Sequence, residues 1–511
     1  MADEANERTL RFEDRMRDAD ALAWSIEKDP MLRSTIIAVL VLDRTPDRAL
    51  VADRLDRGSR LVPRLRQRVV SSPWSLAPPR WEVDPYFDLD YHLRWTRAAG
   101  SEDIGQVLHM AEPIAMQGFD RDRPLWEMTV IEGLTEGRAA VIMKIHHSIT
   151  DGVGAVKIGM VLFDLERNPP GPPPPVPAAP PVHVLNRAER FVDAFGHERR
   201  RQLGIARRFP GAVGRALARA ASDPAATIED LGTTVASAAR MLRPASTPLS
   251  PVMTGRSLSM HFDTITVPLA ETKAAAKRGG GKLNDAFVTA VARGFRYYHD
   301  KHGAAPDTLR MGMPVNVRTA ETADLAGNQW APTRFALPVS VDDPLEHLQV
   351  VRGVITTQRA EPALGLVEPL ASVLYRLPTT LLAGLFGSML KGVDFTTSNV
   401  PGVPVPVFFA GARVLSQFPL GPLSGSAVNL CLLSYTDGLH IGVNSDLAAV
   451  PDPDVLHACL LNGFDDITHL ASPPARVRGG GRRATVVSDR RPTPVPLEPA
   501  GGGRSDGGAG R

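Results

Sequence analysis

Cysteine is nearly missing from this chain: Cys431 and Cys459 are the only two among 511 residues, and no CxxC pair occurs. That argues against a disulfide framework and against a cysteine-built zinc site, and it suits a reducing cytoplasm. Long apolar runs are missing as well. No stretch of about 18 apolar residues is present, so no helix is expected to span a bilayer. The nearest approach, LPTTLLAGLFGSML from Leu377 to Leu390, is uncharged but only 14 residues long, a length that reads as a buried or interfacial helix. The opening MADEANERTLRFEDRMRDAD is charged where a secretory signal would need an apolar stretch. An excess of one charge is also lacking. Lys and Arg number 58 against 56 Asp and Glu, so no global field favours nucleic acid, which is not expected as a partner.

What is there is ordinary globular composition, 43% hydrophobic and 22% charged. The length exceeds one ordinary core, so two domains are the default. Residues 1–166 alternate strand-like and helix-like patterns and read as an N-terminal domain. Within it STIIAVLVLD (Ser34–Asp43) and RAAVIMKIHH (Arg138–His147) read as buried strands. Residues 167–250 read as a connection. Its first part, NPPGPPPPVPAAPP, cannot form a helix interior or central strand and reads as a stiff, extended linker. Its second part, Arg187–Arg219, has nine arginines against three acids interleaved with Phe191, Phe195, Leu203 and further apolar residues. That pattern fits amphipathic helices, either solvated over the domain junction or lying on an anionic membrane. Residues 251–470 read as a second domain, and 471–511, rich in Gly, Pro and Arg, as a disordered tail.

The stretch KIHHSITDGVG, Lys144–Gly154, carries the chemistry. Alternation along the strand puts Val141, Met143, Ile145 and His147 on one face and Ile142, Lys144 and His146 on the other. His147 at the end of an apolar face would stay neutral near pH 7, as a general base must before it takes a proton. Neighbouring histidines on opposite faces cannot easily share a zinc ion, and HxxxH and HExxH are absent, so no metal is expected. The one GxSxG match, GRSDG (Gly503–Gly507), sits in the tail without the strand and helix of a nucleophile elbow. Taken alone, HHxxxDG leaves a packed histidine and a catalytic base both open.

The wider pattern resembles the bacterial wax ester synthase/diacylglycerol acyltransferase family. The resemblance rests on FDRDRPLWEMTVIEGL (Phe119–Leu134) before the His strand and KLNDAFVTAVARGF after it. MPVNVR (Met313–Arg318), GNQWAPTRFALP (Gly327–Pro338) and TTSNVPGV (Thr396–Val403) extend it. The similarity spans nearly all of residues 14–470. It implies an α/β (α+β) architecture of two chloramphenicol acetyltransferase-like domains with mixed sheets and a substrate channel at their interface. STIIAVL departs from the small-residue, His-bearing sequence the family leads one to expect, which bears on the acyl or acceptor channel.

The resemblance also implies roles. His147 would be the general base and Asp151 would hold the turn or orient the base. His146 would be structural, and Gly152 would let the backbone turn tightly. Asn284 would cap its helix and place an amide near the reacting carbonyl. Trp126 would line or pack the wall, and Ser398 and Asn399 would donate to substrate from a loop. Acyl-CoA enters as co-substrate with no cofactor, and the acceptor is diacylglycerol or a long-chain alcohol. A cytoplasmic protein, attached peripherally to the inner face of the membrane or to lipid droplets, is expected. Two other readings stay open: a condensation-domain-like acyltransferase on carrier-bound substrates, and a non-catalytic lipid-surface protein with a residual motif.

Overall fold

In a computed structural model of the protein, which describes residues 12–71, 77–98, 103–150, 152–170, 176–203, 247–316, 330–361, 371–372 and 374–471, the apolar run after Ser34 forms strand β1 (Thr35–Leu42). It lies in a six-stranded mixed sheet with β4 (Leu93–Arg97), β5 (Trp126–Glu132), β6 (Ala139–His146), β11 (Phe408–Phe409) and β12 (Ala412–Leu420). Their order is β11-β12-β1-β6-β5-β4. All neighbours are antiparallel except β4 and β5. A short hairpin, β2 (Gln67–Val70) with β3 (Arg80–Val83), stands beside it.

A second six-stranded sheet contains β7 (Met260–Pro268), β8 (Thr308–Asn316), β9 (Trp330–Pro338), β10 (Phe395–Val400), β13 (Val428–Tyr435) and β14 (Gly438–Asp446), in the order β7-β14-β13-β10-β8-β9. β10 runs parallel to both β13 and β8, and the other pairs are antiparallel. The Leu283–Lys301 helix buries Phe287, Ala290, Val291, Phe295 and Tyr298 against this sheet's core, as the stripe at helical spacing predicts.

The first sheet is not made by the N-terminal segment alone. β12 comes from beyond residue 407 and pairs with β1, from Ile37 opposite Leu420 to Leu42 opposite Val414. The sheets also meet at β12. A Cβ on Gly442 of β14 would lie 2.1 Å from the carbonyl oxygen of Pro419, so only glycine allows this approach. A separate apolar cluster, with Ile37, Ile142, Leu108, Ala111, Phe262 and Phe418, fills the space under the Ile104–Met116 helix and joins the two halves.

The Thr379–Leu390 helix buries Leu382 against Leu22, Ile26 and Leu32, while Leu381 stays exposed. In the basic segment, a helix over 187–203 turns several of its charges inward. Arg190 pairs with Glu82 at 3.3 Å, Arg201 with Asp18 at 2.9 Å, Asp193 with Arg80 at 3.1 Å, and Glu198 with Arg376 at 3.0 Å. Residues 204–219 of that segment and the 471–511 tail beyond Ala471 lie outside the described residues.

Candidate active site

β6 carries the histidine pair to the edge of the first core. Its alternation is as read: Val141 and Ile145 face the cluster with Leu125 and Trp126, while Ala140 and Ile142 face the junction cluster. The strand ends at His146, one residue earlier than the sequence indicates, and His147 opens a turn. The His147 N–H still donates to the carbonyl of Ser34, at 2.8 Å, in the register that sets Thr35 opposite His146, but the Ser34 amide goes to Glu27 at 2.9 Å instead of back to His147, and the ladder ends there. His147 is half-buried.

His146 is buried and held at both ring nitrogens. Nε2 lies 2.8 Å from Oε1 of Glu27, and Nδ1 lies 2.7 Å from Oγ of Ser148 and accepts the Ser148 amide at 3.1 Å. Because that amide can only donate, the imidazole proton belongs on Nε2, facing the carboxylate. Trp24 and Phe119 present their edges to the ring at 5.2 and 5.8 Å. Burial pushes the Glu27 carboxyl upward, but the electrostatic pull and hydrogen bond of the His146 Nε2–H, with the Ser34 amide, outweigh it and hold Glu27 below its ordinary value.

Lys144, two residues back on the same face, is also buried. Its ammonium lies over the Phe119 ring at 4.5 Å and 3.7 Å from Glu127, and burial lowers its pKa. Sequence reasoning singled out neither Glu27 nor Lys144. Glu27 is 119 residues from its partner, and no local spacing points to it.

Across the junction, Asn284 is the second residue of its helix and not the cap. Lys282 occupies the cap position, and Asp285 accepts the Lys282 amide at 2.7 Å. The longer-reaching position three of the helix does the capping, which frees the Asn284 amide, whose Nδ2 faces the weakly accepting sulfur of Met313 at 3.9 Å. Ser398 and Asn399 lie on β10 and not in a loop: Ser398 pairs in register with Cys431 and Asn399 with Leu432. β-branched neighbours and a parallel strand on the β13 side explain the strand. The Ser398 side chain bonds the Cys431 thiol, which burial pushes up to about 12. Cys431 donates to Asn429, and Asn429 donates to Thr396 at 2.7 Å.

Trp126 is buried in the first core. Its indole N–H donates to the Leu65 carbonyl at 2.8 Å and its ring stacks on His92 at 4.5 Å. Its polar atom is therefore already spent on the protein. Gly152 opens the Gly152–Leu162 helix. Asp151 lies outside the described residues.

A cavity opens at the junction, lined by Arg33, Thr35 and Ile37 from the start of β1, by Met116, and by Met260, Phe262 and Leu420 from the other half. Thr35 is the register partner of His146, so the cavity begins one strand away from the histidine pair. The residues that depart from the family sequence, Ser34 to Leu40, thus contribute directly to its wall. Beside it, His261 bridges the halves, 3.1 Å from Glu112 on the Ile104–Met116 helix and 3.3 Å from Asp263. The two carboxylates raise its pKa to about 10. Among the described residues, no group of three or more His, Cys, Asp or Glu is placed to hold a metal ion.

The family model for the wax ester synthase/diacylglycerol acyltransferase catalytic domain matches residues 16–287, and the model for the C-terminal domain of the same family matches 326–468. A Mycobacterium tuberculosis protein named provisionally as a diacylglycerol O-acyltransferase is 38% identical over 471 residues, covering 91% of this chain and 94% of its own length. A second protein so named from that organism is 28% identical, covering 85% and 93%. Among solved structures, the wax ester synthase/diacylglycerol acyltransferase of Marinobacter aquaeolei VT8 superposes with a TM-score of 0.57 at 21% identity, covering 89% of this chain and 99% of that one. The first condensation domain of the calcium-dependent antibiotic synthetase also gives 0.57, at 19% identity, covering 90% and 97%. At these identities the structural matches speak for the fold. With the catalytic and C-terminal models both matched in order, the chain belongs to the wax ester synthase/diacylglycerol acyltransferase family of acyl-CoA-dependent acyltransferases.

Proposed function

We propose that this chain moves a long-chain acyl group from acyl-CoA to the hydroxyl of diacylglycerol or of a long-chain alcohol, with His147 as general base. The observation that carries this reading is the half-buried His147 on a pinned turn, one strand from an apolar cavity that draws on both halves. The imidazole takes the hydroxyl proton as the oxygen attacks the thioester carbon. The tetrahedral intermediate then expels the thiolate, which needs little acid help because its thiol has a pKa of about 8.5. The proton on His147 passes to that thiolate, and no acyl-enzyme forms. A positioned base of this kind is worth roughly 10²- to 10⁴-fold. Asn284 is proposed as the amide donor to the oxyanion, since among the described residues its Nδ2 faces a weakly accepting thioether. Asp151 is assigned to holding the turn, and Ser398 and Asn399 to the floor of the acyl path.

Both acceptors reside in lipid, so the enzyme must dock to a lipid surface. No helix among the described residues is long and apolar enough to cross a membrane. The 187–203 helix supports docking: with several of its charges paired inward, Phe191, Val192 and Phe195 are 72, 68 and 64% exposed. Replacing Phe191 and Phe195 with Asp should abolish flotation of the protein with anionic vesicles, and unchanged flotation would remove this helix from the docking surface.

The assay for the activity supplies labelled palmitoyl-CoA with either diacylglycerol or hexadecanol and separates the products by thin-layer chromatography. Labelled triacylglycerol or wax ester is expected, lost in His147→Ala. Label found only on an amine acceptor would move the chain toward condensation chemistry, and vesicle binding without transfer would make the motif residual.

A further inference from the structure

The turn that presents His147 is closed by a ring of contacts whose keystone is Glu27. This residue ends the Asp18–Ile26 helix as its C-cap, and its side chain is only 6% exposed. A single carboxylate oxygen, Oε1, takes two donors: the Ser34 amide at 2.9 Å and Nε2 of His146 at 2.8 Å. The Ser34 carbonyl in turn accepts the His147 amide at 2.8 Å. His147 and His146 are joined by a peptide bond, so the path Glu27, Ser34, His147, His146, Glu27 closes on itself. The carboxylate thereby grips both flanks of the base, the entrance of β1 on one side and the end of β6 on the other.

The surroundings fit a group kept ionised and in place. Oε2 faces the Arg121 guanidinium at 3.7 Å, and that guanidinium lies over the Trp24 ring at 4.1 Å. A buried carboxylate is costly unless such partners compensate it, and one retained here without a surface role needs a reason. The grip supplies one. A general base works only within hydrogen-bond reach of the proton it removes, and a displacement of about 1 Å can cost on the order of 10²-fold.

We infer that Glu27 is the positioning residue of the catalytic turn: by accepting from Ser34 and His146 together, it sets where His147 stands. This rests on His147 being the base. Glu27 touches no reacting atom, and its effect passes through the backbone of His147 and the ring of His146.

The test compares Glu27→Ala, Glu27→Gln and His147→Ala in the full-length enzyme, at a temperature where circular dichroism shows all of them folded. Glu27→Ala opens the ring and is expected to lower kcat by about 10- to 100-fold while the KM for palmitoyl-CoA changes less than about threefold. Glu27→Gln keeps an acceptor oxygen in the same place and is expected to recover most of the lost kcat. The acidic limb of its pH–rate profile should move to lower pH, because a negative charge near the base has gone. A purely structural Glu27 would move thermal stability without that split or that shift. The inference is overturned if Glu27→Ala keeps kcat within about twofold, if its loss appears in KM alone, or if Glu27→Gln is no better than Glu27→Ala. A silent Glu27→Ala beside an inactive His147→Ala removes only this inference, whereas an active His147→Ala removes the assignment of the base on which it stands.

Discussion

The two sheets bury different chemistry beside the junction. At the end of β6 the polar groups carry or exchange charge: His146 pairs with Glu27 at 2.8 Å, and Lys144, two residues back, lies 3.7 Å from Glu127. Across β10 and β13 the buried polar groups are neutral, a chain from Cys431 through Asn429 to Thr396. The difference follows the work assigned to each side. Where a proton must be taken and returned, ionisable neighbours can hold and tune the base. Where an acyl chain must lie, neutral amides and hydroxyls satisfy the backbone's neighbours without the desolvation cost of ions.

The strongest way to break that comparison is to remove the base. His147→Ala should lower kcat by roughly 10²-fold or more, with the KM for acyl-CoA little changed. Near-normal turnover together with an inactive His146→Ala would reverse the assignment of the two histidines. Next comes the contact that brings the sheets together. Gly442→Val would drive a branched side chain into Pro419 and should destabilise by about 1–3 kcal/mol, read as a lower Tm. An unchanged Tm would show that the sheets can separate freely there.

A smaller effect concerns the bridge at His261. Its pKa is raised from 6.5 to about 10 in the folded protein by Asp263 and Glu112. A raised pKa means that folding takes up the proton, so the stabilisation is whole below pH 6.5 and fades as pH climbs to 10. The Tm difference between wild type and His261→Ala should therefore shrink across that window, and a constant difference would refute it. The smallest effect is on the neutral side. Cys431, with its thiol pushed up to about 12, should resist a thiol-reactive probe at pH 8 in the folded enzyme and react on unfolding. Fast labelling without unfolding would mean that the interior of the second sheet is open to water.

How much of this was legible in the sequence depends on how far apart the partners lie. β1, β6 and the Leu283–Lys301 helix could be read because burial stamps a local period on a run of residues. Glu27 could not be found, because nothing near it records a partner beyond residue 140. Ser398 and Asn399 looked like loop residues because Pro401 and Gly402 follow them, yet parallel pairing with β13 claims them for β10. Asn284 looked like a cap because asparagine commonly is one, while Asp285, one residue on, takes the role by reaching back. The passage of β12 into the first sheet has no local signature at all.

That passage has a consequence for how the protein is made. Until residues 412–420 leave the ribosome, β1 has no neighbour on its outer side, and its run of Ile36 to Leu42 is a bare, sticky strand edge. The histidine turn hangs on the residue just before that strand, so the nascent enzyme carries its HHxxxDG motif on an unfinished sheet while more than two hundred further residues are added. Synthesis from one end cannot complete the first half before the second has largely emerged. The interval in which that edge stays open is then set by the arrival of one strand rather than by the size of either half.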